Sequence, residues 1–378
     1  MNDPRTIAER PDLCEHAPAY VRAIAPYQPG KPTSELAREL GLDERNIVKL
    51  ASNENPLGPG EKVIAAMRQA LTEVGRYPDG NGYELKRALC ARLGVVQENL
   101  VLGNGSNDVL ELAARAFLAP GTSAVFSQHA FAVYPLATQA TGATGIEVPA
   151  SGFGHDLDAM VAAIRDDTGI VFVANPNNPT GTWIAPDAVK RFVERVPSRV
   201  LVVLDEAYNE YLAPEERAES IKWIGAFPNL LVTRTFSKAY GLAGLRVGYA
   251  IAHPEVADLM NRVRQPFNVS NIAQSAAVAA LDDVAFLQRS YELNRAGMIQ
   301  LATGFRSLGL DWIESRANFV SVRVGEAQRI YRELLRLGVI VRPVGAYGMP
   351  EHLRVSIGLE QENTRFLEAL AQALAGCG

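Results

Sequence analysis

The sequence predicts an α/β fold: a mostly parallel sheet with helices on both faces, joined to a smaller α+β lobe. Three observations predict it. From about residue 60, short apolar runs alternate with amphipathic helical stretches, the pattern of a mostly parallel sheet covered on both faces. Several of the runs end in polar or Gly-rich turns, as strands do at a ligand-binding edge. After residue 275 the texture changes to a long helical region followed by mixed strands and helices.

The elements follow in order. Residues 1–48 are Pro-rich and weakly periodic; they read as an N-terminal arm, partly joined to the small lobe, with a short helix over 34–40. Amphipathic helices are expected over 61–74 and 83–93, then a strand over 99–102, a helix over 108–117 and a strand over 123–126. Further strands are expected near 169–173, 200–204 and 230–233, with helical stretches such as 186–196 between them. These belong to a large lobe over 49–275. The small lobe, 276–378, takes in most of one long helical region over 272–305. It continues through a segment over 318–324, a helix over 327–337, strands over 339–343 and 353–357, and a last helix from 361. A length of 378 residues suits two or three such lobes, at about 150 residues each.

Composition excludes several classes of function. The chain is 48% hydrophobic and 21% charged, with net charge −5 from 37 basic and 42 acidic residues, and no basic block offers a footprint for nucleic acid. The polar first ten residues lack the apolar core of a signal peptide, and no uncharged apolar run is long enough to span a membrane. Cys14, Cys90 and Cys377 are too sparse for a disulfide framework and fit a reducing cytoplasm. The five histidines never fall at metal-ligand spacing, so no metal is expected.

The chemistry gathers at four strand ends. The run Leu100-Val-Leu leads into Gly103-Asn-Gly-Ser-Asn-Asp108, and Ile170-Val-Phe-Val-Ala into Asn175-Pro-Asn-Asn-Pro-Thr-Gly181. Val200-Leu-Val-Val-Leu leads into Asp205-Glu-Ala-Tyr208, and Leu230-Leu-Val-Thr into Arg234-Thr-Phe-Ser-Lys-Ala-Tyr-Gly241. Together they bring an acid at a strand end (Asp205), an amine in a small-residue turn (Lys238), and hydroxyls with an arginine around it (Thr235, Ser237, Arg246). Ser106, Asn107 and Asp108 begin a helix, whose first N–H groups are free to meet an anion. A lysine, an acid and a separate phosphate cradle are what pyridoxal 5′-phosphate (PLP) requires. Taken singly the features are bland: Asp205 reads equally as a helix N-cap, Tyr208 as a half-buried aromatic, and 103–108 as a plain helix-starting turn.

Six segments in order resemble the fold-type I PLP-dependent aminotransferases, and within them the histidinol-phosphate aminotransferase subfamily. They are Leu50-Ala-Ser-Asn-Glu-Asn-Pro-Leu-Gly-Pro59, Arg76-Tyr-Pro78, Asn175-Pro-Asn-Asn-Pro-Thr-Gly181, Asp205-Glu-Ala-Tyr208, Ser237-Lys-Ala-Tyr-Gly-Leu-Ala-Gly-Leu-Arg246 and Leu353-Arg-Val-Ser-Ile-Gly358. The resemblance covers nearly the whole chain. It implies Lys238 as Schiff-base lysine and proton carrier, Asp205 on the pyridine nitrogen, and Asn178 and Tyr208 on the ring 3′-oxygen. Phe131 takes the place of the aromatic that stacks on the ring, with Tyr134 as the alternative nearby. Ser106, Asn107, Thr235, Ser237 and Arg246 are implied as the phosphate site, with Asp108 contributing only its backbone N–H. Tyr77 matches a tyrosine that reaches the phosphate of a neighbouring subunit, which implies a homodimer with shared sites. Arg354 matches the arginine that grips the substrate α-carboxylate.

The implied reaction is transamination between histidinol phosphate and 2-oxoglutarate, a step of histidine biosynthesis. Histidinol phosphate carries a phosphate where glutamate has a carboxylate, so a site for both needs cations that accept either anion. Arg342, in Val339-Ile-Val-Arg-Pro343, is the second such cation, and Tyr27 matches the subfamily's N-terminal tyrosine near the substrate phosphate. The alternatives are an aromatic amino acid aminotransferase, a PLP-dependent decarboxylase on the same fold, and a non-catalytic binding protein, for which the short arm offers no helix-turn-helix segment.

Overall fold

Seven strands form the largest sheet: β1 (Leu100–Gly103), β2 (Ser123–Ser127), β3 (Thr144–Val148), β4 (Thr168–Ala174), β5 (Leu201–Asp205), β6 (Leu230–Thr235) and β7 (Gly248–Ala252). The computed structural model describes residues 13–26 and 30–376. Across the sheet the order is β1-β7-β6-β5-β4-β2-β3. The five strands from β6 to β3 pair in parallel, whereas β7 is antiparallel to both β6 and β1. Two reversals restore the direction, so β1 points the same way as β6. The carboxyl ends of β1, β4, β5 and β6 therefore share one edge, where open α/β sheets bind ligands.

The uninterrupted apolar runs are explained by burial on both faces. On β4, Val171 and Val173 face one core while Ile170 and Phe172 face the other. Leu204 and Val202 on β5 join the first core, and Val203 and Leu201 the second. The first core takes in Val63, Leu85, Leu89, Phe192 and Ala273 from helices Glu61–Ala70, Tyr83–Leu93, Pro186–Arg195 and Asn271–Leu281. The second takes in Val109, Leu110, Tyr134 and Met260 from helices Ser106–Phe117, Val133–Ala140 and Pro254–Val263. This is the expected α/β class with helices on both faces.

A four-stranded antiparallel sheet follows: β8 (Trp312–Ile313), β9 (Phe319–Arg323), β10 (Arg342–Pro343) and β11 (His352–Ser356), in the order β10-β11-β9-β8. Leu301, Phe305, Ile330, Leu334, Phe366 and Leu370 pack its core. The helical region expected over 272–305 consists of two helices, Asn271–Leu281 and Val284–Ser307. Asp283 interrupts it, because its side chain caps the second helix by accepting from Phe286 N at 3.2 Å. The single strand over 339–343 changes partners midway: Val339–Ile340 pairs in parallel with Val48–Lys49, and Arg342–Pro343 pairs with Leu353 and Arg354. Pro343 has no amide hydrogen, and it sits on the edge strand, where none is needed. Val48–Lys49 thus ties the end of the arm to the small lobe. Among the described residues no helix is long and apolar enough to cross a membrane.

Candidate active site

One cavity opens at that edge, and the four strand-end turns supply about half of its lining. Asp205 ends β5 and is 5% exposed. Tyr134 Oη donates to its Oδ2 at 2.8 Å, and Thr233 Oγ1 donates to its Oδ1 at 2.9 Å. Burial raises the carboxyl above its usual pKa, and the bonds from Tyr134 and Thr233 pull it back. The acid is thus fixed in position, with both oxygens already engaged from the protein side.

Lys238 lies in the turn after β6. Its Nζ donates to the Ser52 carbonyl at 3.1 Å and stands 5.8 Å from the centre of the Tyr208 ring. Burial, and next the nearby Arg354 cation, lower its pKa from 10.5 to about 7. An amine in that range is half neutral, and so nucleophilic, at neutral pH. Tyr208 accepts from Asn53 Nδ2 at 3.0 Å, and burial pushes its phenol up to about 12, so it stays protonated.

A concave group of donors lies beside the lysine. Ser106 and Asn107 start the helix Ser106–Phe117 and line the cavity, as do Thr235, Ser237 and Arg246. Arg246 Nη1 donates to Ser237 Oγ at 3.2 Å, and Ser237 N donates to Thr235 Oγ1 at 3.1 Å. The Asp108 carboxylate braces the turn: its Oδ2 accepts from Asn104 N and from Asn268 Nδ2, each at 2.8 Å. Gly105 lets this turn approach Arg246, since a Cβ there would lie 2.4 Å from Nη2.

Arg354 and Arg342 also line the cavity, direct partners across β10 and β11, so both side chains project from one face. Arg354 Nη1 donates to Asn178 Oδ1 at 2.6 Å, and Nη2 donates to the Ala51 carbonyl at 2.8 Å. Phe131 and Tyr134 both line the cavity, but Tyr134 is stacked on Phe172 and spends its hydroxyl on Asp205. Tyr77 stands apart from the cavity, 83% exposed and stacked on Phe267. Tyr27 lies outside the described residues. Four supports were not anticipated from the sequence in these roles: Tyr134, weighed only as a ring-stacking aromatic, and Thr233 on Asp205, Asn53 on Tyr208, and the Ser52 carbonyl on Lys238.

A lysine of lowered pKa, a buried braced carboxylate and a concave group of donors thus meet at the carboxyl edge of the sheet. A family model described as aminotransferase class I and II matches residues 45–370. Histidinol-phosphate aminotransferase 2 of Nitrosospira multiformis is 63% identical over 96% of this chain and 93% of its own. Histidinol-phosphate aminotransferase 1 of Thiobacillus denitrificans is 64% identical over 95% of this chain and 94% of its own. Among solved structures, histidinol-phosphate aminotransferase from Sinorhizobium meliloti, in complex with pyridoxal-5′-phosphate, aligns with TM-score 0.89 and 29% identity, covering 95% of this chain and 98% of that one. The chain belongs to the class I and II aminotransferases.

Proposed function

We propose that the chain is a cytoplasmic, homodimeric, PLP-dependent histidinol-phosphate aminotransferase that moves the amino group of histidinol phosphate to 2-oxoglutarate. The products are imidazole acetol phosphate and L-glutamate. The observation that carries the substrate assignment is the Arg342–Arg354 pair, two forked cations side by side lining the lysine cavity. Such a pair suits substrates that bring a phosphate in one half-reaction and two carboxylates in the other. The names of relatives at 63% and 64% identity support the same reading.

The residues present fit PLP. The cradle of Ser106, Asn107, Thr235, Ser237 and Arg246, with the Asp108 N–H, would hold its phosphate; it is the space a Cβ at Gly105 would disturb. Asp205 would face the pyridine nitrogen and keep its proton there. Asn178 and Tyr208 would meet the ring oxygen, and Phe131 would cover the ring. Tyr77 of a second copy would complete the phosphate site. When bound, PLP supplies an electron sink that stabilises negative charge at the substrate α-carbon.

The chain's own side chains do the rest. Arg354, Arg342 and Tyr27 bind and orient the substrate anions. Lys238 would hold the cofactor covalently and, once freed by the incoming amine, would take the proton from the substrate α-carbon as base and deliver it as acid to the cofactor's C4′ carbon, a 1,3-shift. A pKa of about 7 suits both roles at neutral pH. The lobes were expected to divide at residues 48 and 275; because helix Asn271–Leu281 keeps Ala276, Ala277 and Leu281 in the large sheet's core, the proposed second division falls after that helix, which still leaves the two arginines in one lobe and the lysine in the other.

The test measures half-reaction efficiencies of the purified holoenzyme with histidinol phosphate and phenylalanine side by side. We expect histidinol phosphate to be preferred by at least about tenfold, the worth of one charged hydrogen-bonded contact. Equal or better turnover of phenylalanine would replace this reading with an aromatic amino acid aminotransferase.

A further inference from the structure

Three consecutive residues just after the arm reach three functional side chains. The Ala51 carbonyl accepts from Arg354, the Ser52 carbonyl accepts from Lys238, and Asn53 Nδ2 donates to Tyr208 Oη. The third contact differs in kind. An amide nitrogen of this type only donates, so Tyr208 Oη is the acceptor and its own proton is left for another direction.

The facing of the Asn53 amide is itself determined. Asn53 N donates to Ser356 Oγ at 2.8 Å, and the Ser356 hydroxyl donates to Asn53 Oδ1 at 3.2 Å. With Oδ1 engaged by Ser356, Nδ2 faces Tyr208. Asn53 and Ser356 are 1% and 3% exposed, so bulk water does not compete for these bonds. The backbone is pinned as well: Asn53 has φ 55°, and its carbonyl accepts from Asn318 Nδ2 at 2.9 Å. Asn and Gly tolerate that left-handed conformation better than other residues.

We infer that Asn53, oriented by Ser356, is a positioning residue that directs the Tyr208 hydroxyl proton into the cavity. Ser356 lies two residues from Arg354 on β11 and hence on the same face, so the relay joins the strand of the substrate-binding arginine to the phenol. The inference rests on the proposed role of Tyr208 as donor to the cofactor's ring oxygen.

The experiment is a pH titration of the visible absorbance of the holoenzyme, with thermal melts alongside. Donation to the ring oxygen disperses its negative charge; without it the oxygen and its neighbouring nitrogen hold their shared proton more tightly. Tyr208→Phe should therefore raise the midpoint by about one unit, a tenfold change in proton affinity. Asn53→Gly keeps the backbone conformation and removes the amide. It should raise the midpoint by at least about half as much, and combining it with Tyr208→Phe should add nothing. Asn53→Asp would accept the phenol proton and should match Tyr208→Phe. Ser356→Ala should shift the midpoint in the same direction by less. If Tyr208→Phe moves the midpoint while Asn53→Gly and Asn53→Asp do not, the inference about Asn53 is wrong and the role of Tyr208 stands. An additive double variant likewise overturns it. If Tyr208→Phe itself leaves the midpoint in place, the role of Tyr208 is wrong and the inference falls with it.

Discussion

Desolvation governs the lysine: partial burial, and next the nearby Arg354 cation, lower Lys238 to a pKa of about 7 in place of 10.5. Protons leave the amine as pH rises through that value, so its neutral, reactive fraction grows across the neutral range. In the cofactor-free protein, the rate of covalent PLP capture should therefore rise with pH with a midpoint near 7. Borohydride trapping and mass spectrometry at each pH would measure it, and a midpoint near 10 would contradict the burial argument. Lys238→Ala should leave nothing to trap. The arginines differ in reach. Arg354→Ala should damage the half-reactions of histidinol phosphate, glutamate and phenylalanine alike. Arg342→Ala should lower efficiency with the first two by about ten- to a hundredfold, the loss of a charged forked contact, and spare phenylalanine. Equal losses for phenylalanine and histidinol phosphate would make Arg342 structural. Lys238, Asp205 and Arg354 were legible in the sequence because each lies within a contiguous motif. The roles of Tyr134 and Asn53 were not, although Asn53 lies within a quoted motif and Tyr134 was weighed as a ring-stacking aromatic, because their bonds to Asp205 and Tyr208 join positions 71 and 155 residues apart.

Elements show the same division. Strands β4, β5 and β6 were legible because burial on both faces leaves unbroken apolar runs. Edge strand β3 is largely exposed and carries Thr144, Gly145 and Glu147, so no run marks it. β7, Gly-Tyr-Ala-Ile-Ala, is fully buried but three of its five residues are small, and it follows the lysine turn so closely that it reads as part of that loop. The turn between β1 and the helix Ser106–Phe117 shows what an element junction demands. Gly105 has φ 81° and ψ 167°, a region other residues adopt only under strain, and a Cβ would lie 2.4 Å from Arg246 Nη2. Gly105→Ala should cost about 1–3 kcal/mol of stability from the backbone alone. It should also push Arg246 from the cradle, so PLP affinity should fall while binding of the phosphate-free aldehyde changes little. Equilibrium dialysis with both ligands would check this, and equal loss of both would place the damage outside the phosphate site.

For the whole molecule, the informative residue is the one that stands outside the cavity. Tyr77 is 83% exposed and stacks at 4.7 Å on Phe267, itself 45% exposed, so two large rings lie together on the surface. Exposed aromatic pairs of this kind suit burial against another protein surface. In the proposed dimer, Tyr77 of each copy serves the phosphate site of the other, so each site needs Lys238 from one chain and Tyr77 from its partner. That arrangement makes a prediction no single-chain site makes. Lys238→Ala and Tyr77→Ala homodimers should both be impaired, the first completely. Co-expression of the two variants should yield hybrid dimers in which one of the two sites draws both intact residues. With random pairing about half the dimers are hybrids, so activity should recover to about a quarter of the unmodified level, counted from symmetry. Light scattering should show the same mass for all three preparations. If Tyr77 served its own chain's site, each hybrid site would lack one of the two residues. Co-expressed activity would then stay at the average of the parents, and the shared-site assembly would have to be abandoned.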